Sequence, residues 1–258
     1  MLKILCVYMK PDTLEQENNK KHFFKILRKN FEVKFILRER LKSFITNFDL
    51  VISLGGDGTF ILASRYIRNK IPLLGVNLDI KHKEGFYTTL NTSNFKKYII
   101  KIINKEYNII PLLRLKARIN NKQLPYSLNE YFIGNVKSYY SAKYELKIGK
   151  KKEIQKSSGV IVATPSGSYA WYSSMGGKHL SFKENKIVYM TREPYKGKVI
   201  TCEMCGGKLD SKKIIKVKYL LKYKGILAID SQKEYNLKLN DVISITSAKE
   251  KLNWVKFS

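Results

Sequence analysis

Apolar positions in the first hundred residues fall into short blocks that alternate with stretches of helical spacing. Strands are predicted near residues 2–9, 33–37, 49–54 and 71–77. Helical stretches are predicted near 13–30, over 59–68 with Phe60, Ile61, Ala63 and Ile67 facing inward, and near 92–104 behind a cap at Asn91 or Thr92. Such alternation predicts an α/β domain with a doubly wound parallel sheet. After about residue 106 the texture changes. Short runs at 113–119, 130–133, 144–148, 160–163, 187–190, 217–221, 242–245 and 254–257 read as strands, and 167–177 reads as a short helix. The expected organisation is an α/β domain over 1–105 and a strand-rich, β-sandwich-like domain over 106–258, whose last strands could return to the first domain.

One block stands out inside this pattern. Ser53-Leu54-Gly55-Gly56-Asp57-Gly58-Thr59-Phe60 lies where the strand at 49–54 turns into the next helix. Glycines there let the backbone approach a ligand closely, and the unsatisfied N–H groups of a helix start favour anions. A carboxylate in such a turn would repel phosphate. It makes sense if it takes a proton from an attacking hydroxyl or helps to hold a metal. The plain alternative is a tight turn with a solubilising Asp, but three glycines are more than a turn needs.

Charge adds a second question. The 258 residues carry 49 Lys and Arg against 21 Asp and Glu, a formal charge of +28. That excess either draws in polyanions or reflects the Lys-, Ile-, Asn- and Tyr-rich usage of an AT-rich genome. The lysines are spread along the chain, which favours drift and predicts only non-specific contact with nucleic acid. No apolar run is long enough to span a bilayer, so no membrane is expected. The first residues read as a strand with no signal or transit peptide before them, and the expected location is cytoplasmic. The three cysteines, Cys6, Cys202 and Cys205, do not suggest a disulfide framework. Cys202-Glu203-Met204-Cys205 has metal-ligand spacing, but zinc would need distant residues to converge, and the metal ligands are left open.

Three further blocks offer binding chemistry. Asn129-Glu130 pairs an amide with a carboxylate ahead of a strand, although most such pairs are ordinary turns. Thr164-Pro165-Ser166-Gly167-Ser168 gathers hydroxyls and free N–H groups, with Tyr169 and Trp171 just beyond for stacking; a helix cap followed by core aromatics is the alternative. Gly85-Phe86-Tyr87 sets aromatics beside a glycine in a loop.

Taken in order, Gly55-Gly56-Asp57-Gly58-Thr59, Gly75-Val76-Asn77, Gly85-Phe86-Tyr87, Asn129-Glu130 and Thr164-Pro165-Ser166-Gly167-Ser168 resemble the NAD kinase family. The glycine block alone is shared with lipid and sugar kinases, so a lipid or sugar kinase is the first alternative, and a basic nucleic-acid-binding protein the second. The common pattern has Asp-Gly where this chain has Ser158-Gly159, and Thr-Ala-Tyr where it has Tyr169-Ala170-Trp171. Lys156-Ser157-Ser158-Gly159, Ala170-Trp171, Asn77-Leu78-Asp79 and Arg192-Glu193-Pro194 look like the mitochondrial-type branch.

The resemblance implies an ATP-dependent kinase that phosphorylates the 2′-hydroxyl of the adenosine ribose of NAD, giving NADP. It implies Asp57 as general base, and phosphate binding by Gly55, Gly56, Gly58 and Thr59. NAD would be held by Asp57, Gly58, Phe86, Asn129, Glu130, Lys156, Ser158, Ser166, Tyr169, Ala170, Trp171 and Ser174. It also implies Mg²⁺ or another divalent cation, ATP as donor, and a homodimer or homotetramer. The choices between NAD and NADH and between ATP and polyphosphate stay open.

Overall fold

A computed structural model describes residues 1–137 and 139–257. The chain divides into two compact units, one of Met1–Pro111 with the C-terminal stretch from Lys251, the other of Leu112–Glu250.

The first unit is built on a seven-stranded sheet. Its strands are β1 (Lys3–Tyr8), β2 (Glu32–Leu37), β3 (Leu50–Leu54), β4 (Leu73–Asn77), β5 (Thr88–Asn91), β6 (Asn108–Leu112) and β19 (Leu252–Lys256). The order is β2-β1-β3-β4-β19-β6, with β5 also on β4. The pairs β1–β2, β1–β3, β3–β4, β4–β5 and β4–β19 are parallel. Every residue of β3 and β4 is buried, as expected of central strands covered on both faces. Helix α1 (Leu14–Asn30) starts where the Thr13 hydroxyl accepts from the Gln16 N–H at 3.2 Å, carries Glu15 and Glu17 in its first turn and Arg28 and Lys29 in its last, and buries Phe23 and Leu27. Helix α2 (Asp57–Ser64) follows β3 directly, so Asp57 lies at the carboxyl end of a central parallel strand.

The second unit is antiparallel throughout its registered pairs. One sheet runs β11 (Lys151–Ser157), β10 (Ala142–Ile148), β15 (Ile215–Tyr219), β18 (Val242–Ser247), β7 (Leu115–Ile119) and β8 (Lys122–Gln123). The other runs β14 (Gly206–Asp210), β13 (Lys186–Arg192), β12 (Gly159–Ala163), β9 (Glu130–Asn135), β16 (Gly225–Ile229) and β17 (Lys233–Leu237). Tyr144, Leu146, Val217 and Ile243 of the first sheet share one core with Tyr131, Ile133, Val162 and Leu227 of the second, as in a sandwich. The expected class, a parallel α/β domain plus a strand-rich one, is the class found.

Three local expectations are corrected. The helix near 92–104 is a 3-10 turn over Phe95–Tyr98 and then α3 (Ile99–Ile103), and β5 precedes it. Asn91 does not cap a helix there; its side-chain oxygen accepts from the N–H groups of Ser93 and Asn94, an Asx turn that competes with helix. The stretch 167–177 gives only a 3-10 turn at Gly167–Tyr169 and α4 (Trp171–Ser174). Cys202 and Cys205 are joined by a disulfide, where the cysteine count suggested none.

Candidate active site

In the first unit the glycine block makes a turn that only small residues fit. Gly55 has φ +154°, and a Cβ there would lie 2.5 Å from the Thr59 hydroxyl. Asp57 then opens α2, and its carboxylate is gripped by a second loop. One oxygen accepts from the Phe86 N–H at 2.9 Å and the other from the Tyr87 N–H at 2.7 Å. Gly85 makes that loop possible: it has φ +75°, and a Cβ would collide with the Thr88 hydroxyl at 2.0 Å. Below the loop, the Trp254 indole N–H donates to the Tyr87 carbonyl at 3.0 Å, and Tyr87 stacks on Phe60 at 4.8 Å. The carboxylate is therefore held from a buried aromatic platform.

A cavity of about 410 Å³ opens over this turn, lined by Met9, Arg38, Asp57, Thr59, Lys83 and Glu84 together with Gly56, Gly58 and Gly85. Arg38 follows β2 and donates to the Thr59 hydroxyl at 3.4 Å; the Lys83 ammonium lies 3.4 Å from the Met9 sulfur. Two cations thus share the cavity wall with Glu84 and the fixed Asp57 carboxylate, a setting suited to a polyphosphate beside a proton acceptor. The N–H groups of Gly55 and Thr59 are already engaged, with the Val76 and Gly56 carbonyls at 3.0 Å each. Those two residues shape the turn through these bonds.

In the second unit Asn129-Glu130 and the hydroxyl-rich block form one buried knot. The hydroxyls of Thr164 and Ser166 donate to the Leu128 carbonyl at 2.6 and 3.1 Å, and the Thr164 N–H donates to the Asn129 carbonyl at 2.9 Å. Gly167 packs so closely that a Cβ would lie 2.0 Å from the Asn129 oxygen. The knot is tied by Asp230, 5% exposed and with φ +49°. Its carboxylate accepts from the Ser127 hydroxyl at 2.6 Å and from the N–H groups of Leu128, Asn129 and Glu130 at 3.3, 2.8 and 3.2 Å.

Around the knot the aromatics separate. Tyr169 is exposed and packs on His179 at 4.2 Å. Trp171 lays its ring against Phe132 at 4.7 Å, with the Arg192 guanidinium 5.8 Å from its centroid. Trp171 and Ser174 line one cavity of about 450 Å³; Lys156 and Ser158 line another of about 420 Å³.

Two domain models of one family match these two sets of residues: the ATP-NAD kinase N-terminal domain over residues 4–107 and the ATP-NAD kinase C-terminal domain over residues 128–257. The chain belongs to the ATP-NAD kinase family. An NAD kinase of Thermoplasma volcanium is 31% identical over 221 residues, covering 81% of this chain and 74% of that protein. A probable NADH kinase of Oryza sativa is 30% identical over 189 residues, covering 65% of this chain and 58% of that protein. Among solved structures, yeast NADH kinase complexed with NADH superposes with a TM-score of 0.83 at 20% identity, over 100% of this chain and 84% of that one, a likeness of fold. Family membership leaves the lipid- or sugar-kinase and nucleic-acid-binding alternatives without support.

Within the family's two domains, the residues expected from sequence fall into four groups. Asp57, Gly58, Phe86 and the rest of the glycine block gather at the first unit's cavity or its rim. Asn129, Glu130 and Ser166 meet in the knot, where the Ser166 hydroxyl is committed inward and 2% exposed. Ala170, Trp171 and Ser174 lie on or beside one cavity wall, and Lys156 and Ser158 on another, with Tyr169 apart on His179. Arg38, Lys83 and Asp230 were missed. Arg38 had one available signal, its place at the carboxyl end of a predicted parallel strand, where ligands of such sheets bind.

Proposed function

We propose that this ATP-dependent NAD kinase transfers the γ-phosphate of ATP to the 2′-hydroxyl of the adenosine ribose of NAD, with Asp57 accepting the hydroxyl proton. The observation that carries the reading is the Asp57 carboxylate fixed by the Phe86 and Tyr87 N–H groups on the wall of a cavity that also holds Arg38 and Lys83. A carboxylate so held loses little freedom when the hydroxyl arrives, and phosphoryl transfer depends mainly on positioning and charge stabilisation. Arg38 and Lys83 would bind donor phosphate oxygens, as would the turn at Gly56 and Gly58. Asn129 and Glu130 would orient the acceptor, Trp171 and Ala170 would wall the adenine with Tyr169, Ser166 and Ser174 near by, and Lys156, Ser158 and Phe86 would contact the rest of the dinucleotide.

Mg²⁺ fits as an ion carried mainly by the phosphates. Asp57 and Glu84 are the carboxylates on the cavity wall, and no group of three or more His, Cys, Asp or Glu side chains that could hold a metal occurs among the described residues. When bound it spreads the negative charge of the donor. The units would divide the work as a nucleotide-binding domain ending near residue 105 and a dinucleotide-binding domain after it. The motif variants at Ser158 and Trp171 support the mitochondrial-type branch. We also propose a homodimer or homotetramer, a cytoplasmic location and only non-specific, salt-sensitive contact with nucleic acid; no helix of the described residues is long and apolar enough to cross a membrane.

The test is NADP or NADPH formation by purified protein, with NAD and NADH as acceptors and ATP and polyphosphate as donors. Phosphorylation of NAD with ATP is expected. No phosphorylated dinucleotide from any pair would refute the reading.

A further inference from the structure

We propose that Glu193 is a dinucleotide-binding residue, a carboxylate set by Ser158 and Arg192 to accept hydrogen bonds from ribose hydroxyls of the acceptor. The inference rests on the NAD kinase reading and names a residue to which that reading gives no role.

Strand β13 ends at Arg192, and Glu193 turns the chain with φ +47°. Side chains as large as Glu rarely take that backbone conformation, and it persists only where the surroundings fix it. Here they do. The Ser158 N–H donates to the Arg192 carbonyl at 3.0 Å, and the Tyr195 N–H donates to the Lys156 carbonyl at 2.8 Å, so backbone bonds clamp the turn on both sides. The Ser158 hydroxyl donates to one Glu193 oxygen. Arg192 donates to the other, with Nε and Nη2 each at 3.2 Å. The hydrogen bond from Ser158, and then the Arg192 charge, hold the carboxyl below the usual range, so it is ionised at neutral pH.

The side chain on this strained backbone is held at both oxygens and is nevertheless exposed. It lies on the walls of both second-unit cavities, and among the described residues it is the one acidic residue on either. The other lining groups are aromatics, hydroxyls, sulfurs, Pro194 and the cations Lys156 and Arg192. Those groups suit bases and phosphates. A dinucleotide also carries vicinal ribose hydroxyls, which are donors, and an ionised carboxylate with lone pairs to spare is the natural partner for them. Ser158 stands where the common family pattern has Asp. A carboxylate reaches Ser158 from the turn that follows the neighbouring strand, through the Ser158–Glu193 hydrogen bond.

The test uses the full chain and four proteins: wild type, Glu193→Gln, Ser158→Ala and the double variant. Steady-state kinetics with NAD and ATP is combined with calorimetric NAD binding in the absence of ATP and with melting curves. Glu193→Gln is expected to raise both KM and Kd for NAD by roughly tenfold or more, with kcat and the KM for ATP within about threefold of wild type. Ser158→Ala removes a dinucleotide contact as well as the bond to Glu193 and should give a rise of the same kind, and the double variant should be less than additive because the two residues act as a hydrogen-bonded pair. Should Glu193→Gln melt early, Glu193→Asp, which keeps the charge but withdraws it from the cavity, takes its place and should show the same selective rise. Unchanged NAD terms in folded variants, or a rise in the KM for ATP alone, would overturn the proposal. A wild type that makes no NADP would defeat the kinase reading instead, and NAD binding would still judge Glu193.

Discussion

Asp57 and Asp230 use the same device for opposite ends. Each carboxylate is gripped by backbone N–H groups of a neighbouring turn. Asp57 takes two, from Phe86 and Tyr87, and still faces an open cavity. Asp230 takes three, plus the Ser127 hydroxyl, and is buried. A carboxylate with lone pairs left over and a route to solvent can receive a substrate proton. One whose partners enclose it can only hold a shape. The residue type and its local bonding do not assign the role; the space beside it does.

The sharpest way to break this comparison is Asp57→Asn. Loss of a general base typically costs ~10²–10⁴ in rate. NAD affinity should stay within about tenfold. The amide oxygen can accept from one of the Phe86 and Tyr87 N–H groups, while the amide NH₂ faces the other as donor to donor, so a modest fall in melting temperature should accompany the loss. Turnover within a few-fold of wild type would make Asp57 a structural residue like Asp230.

Asp230→Ala should reverse the emphasis. It strips partners from three N–H groups and a hydroxyl in a buried knot, and unsatisfied buried donors cost ~1–3 kcal/mol each. Relaxation will recover part of this, leaving a destabilisation of about 3 kcal/mol or more by chemical unfolding. In whatever fraction stays folded, the KM for NAD should rise more than that for ATP, because Asn129 and Glu130 lose their anchor. A stable protein with normal kinetics would remove Asp230 from the architecture of the acceptor site.

The two aspartates also differ in how they could be read from sequence. Asp57 sits among three glycines at a strand end, so its setting is local and legible. Asp230 works on residues about a hundred positions away, and nothing beside it in the chain points to them. Arg38 and Lys83 were hidden differently, as two cations among 49. The alternating elements of the first unit were legible because β3 and β4 are buried on both faces and read as continuous apolar runs. Strands such as β11, Lys-Lys-Glu-Ile-Gln-Lys-Ser, were not: its Gln155 and Ser157 are the buried positions, and they pair with Thr191 of the other sheet and Tyr144 of the adjacent strand. Polar residues that face inward defeat a reading based on apolar periodicity.

The smallest effect separates the two tryptophans, one in each unit. Trp254 is 1% exposed and braces the Asp57 turn through its bond to the Tyr87 carbonyl. Trp171 is half-buried on a cavity wall, with one ring face on Phe132. NAD should therefore change the fluorescence of Trp171, and base stacking worth ~1–3 kcal/mol means that Trp171→Ala weakens NAD binding by roughly tenfold or more. Trp254→Phe isolates that signal, since the chain has only two tryptophans. The variant is not silent, however. It deletes one buried hydrogen bond, ~1 kcal/mol, directly beneath the loop that grips Asp57, so a small loss of kcat is expected beside normal NAD affinity. If Trp171→Ala instead lowers stability by ~3–5 kcal/mol and leaves NAD affinity unchanged, Trp171 is core, and the second unit's tryptophan plays the part that the structure gives to Trp254.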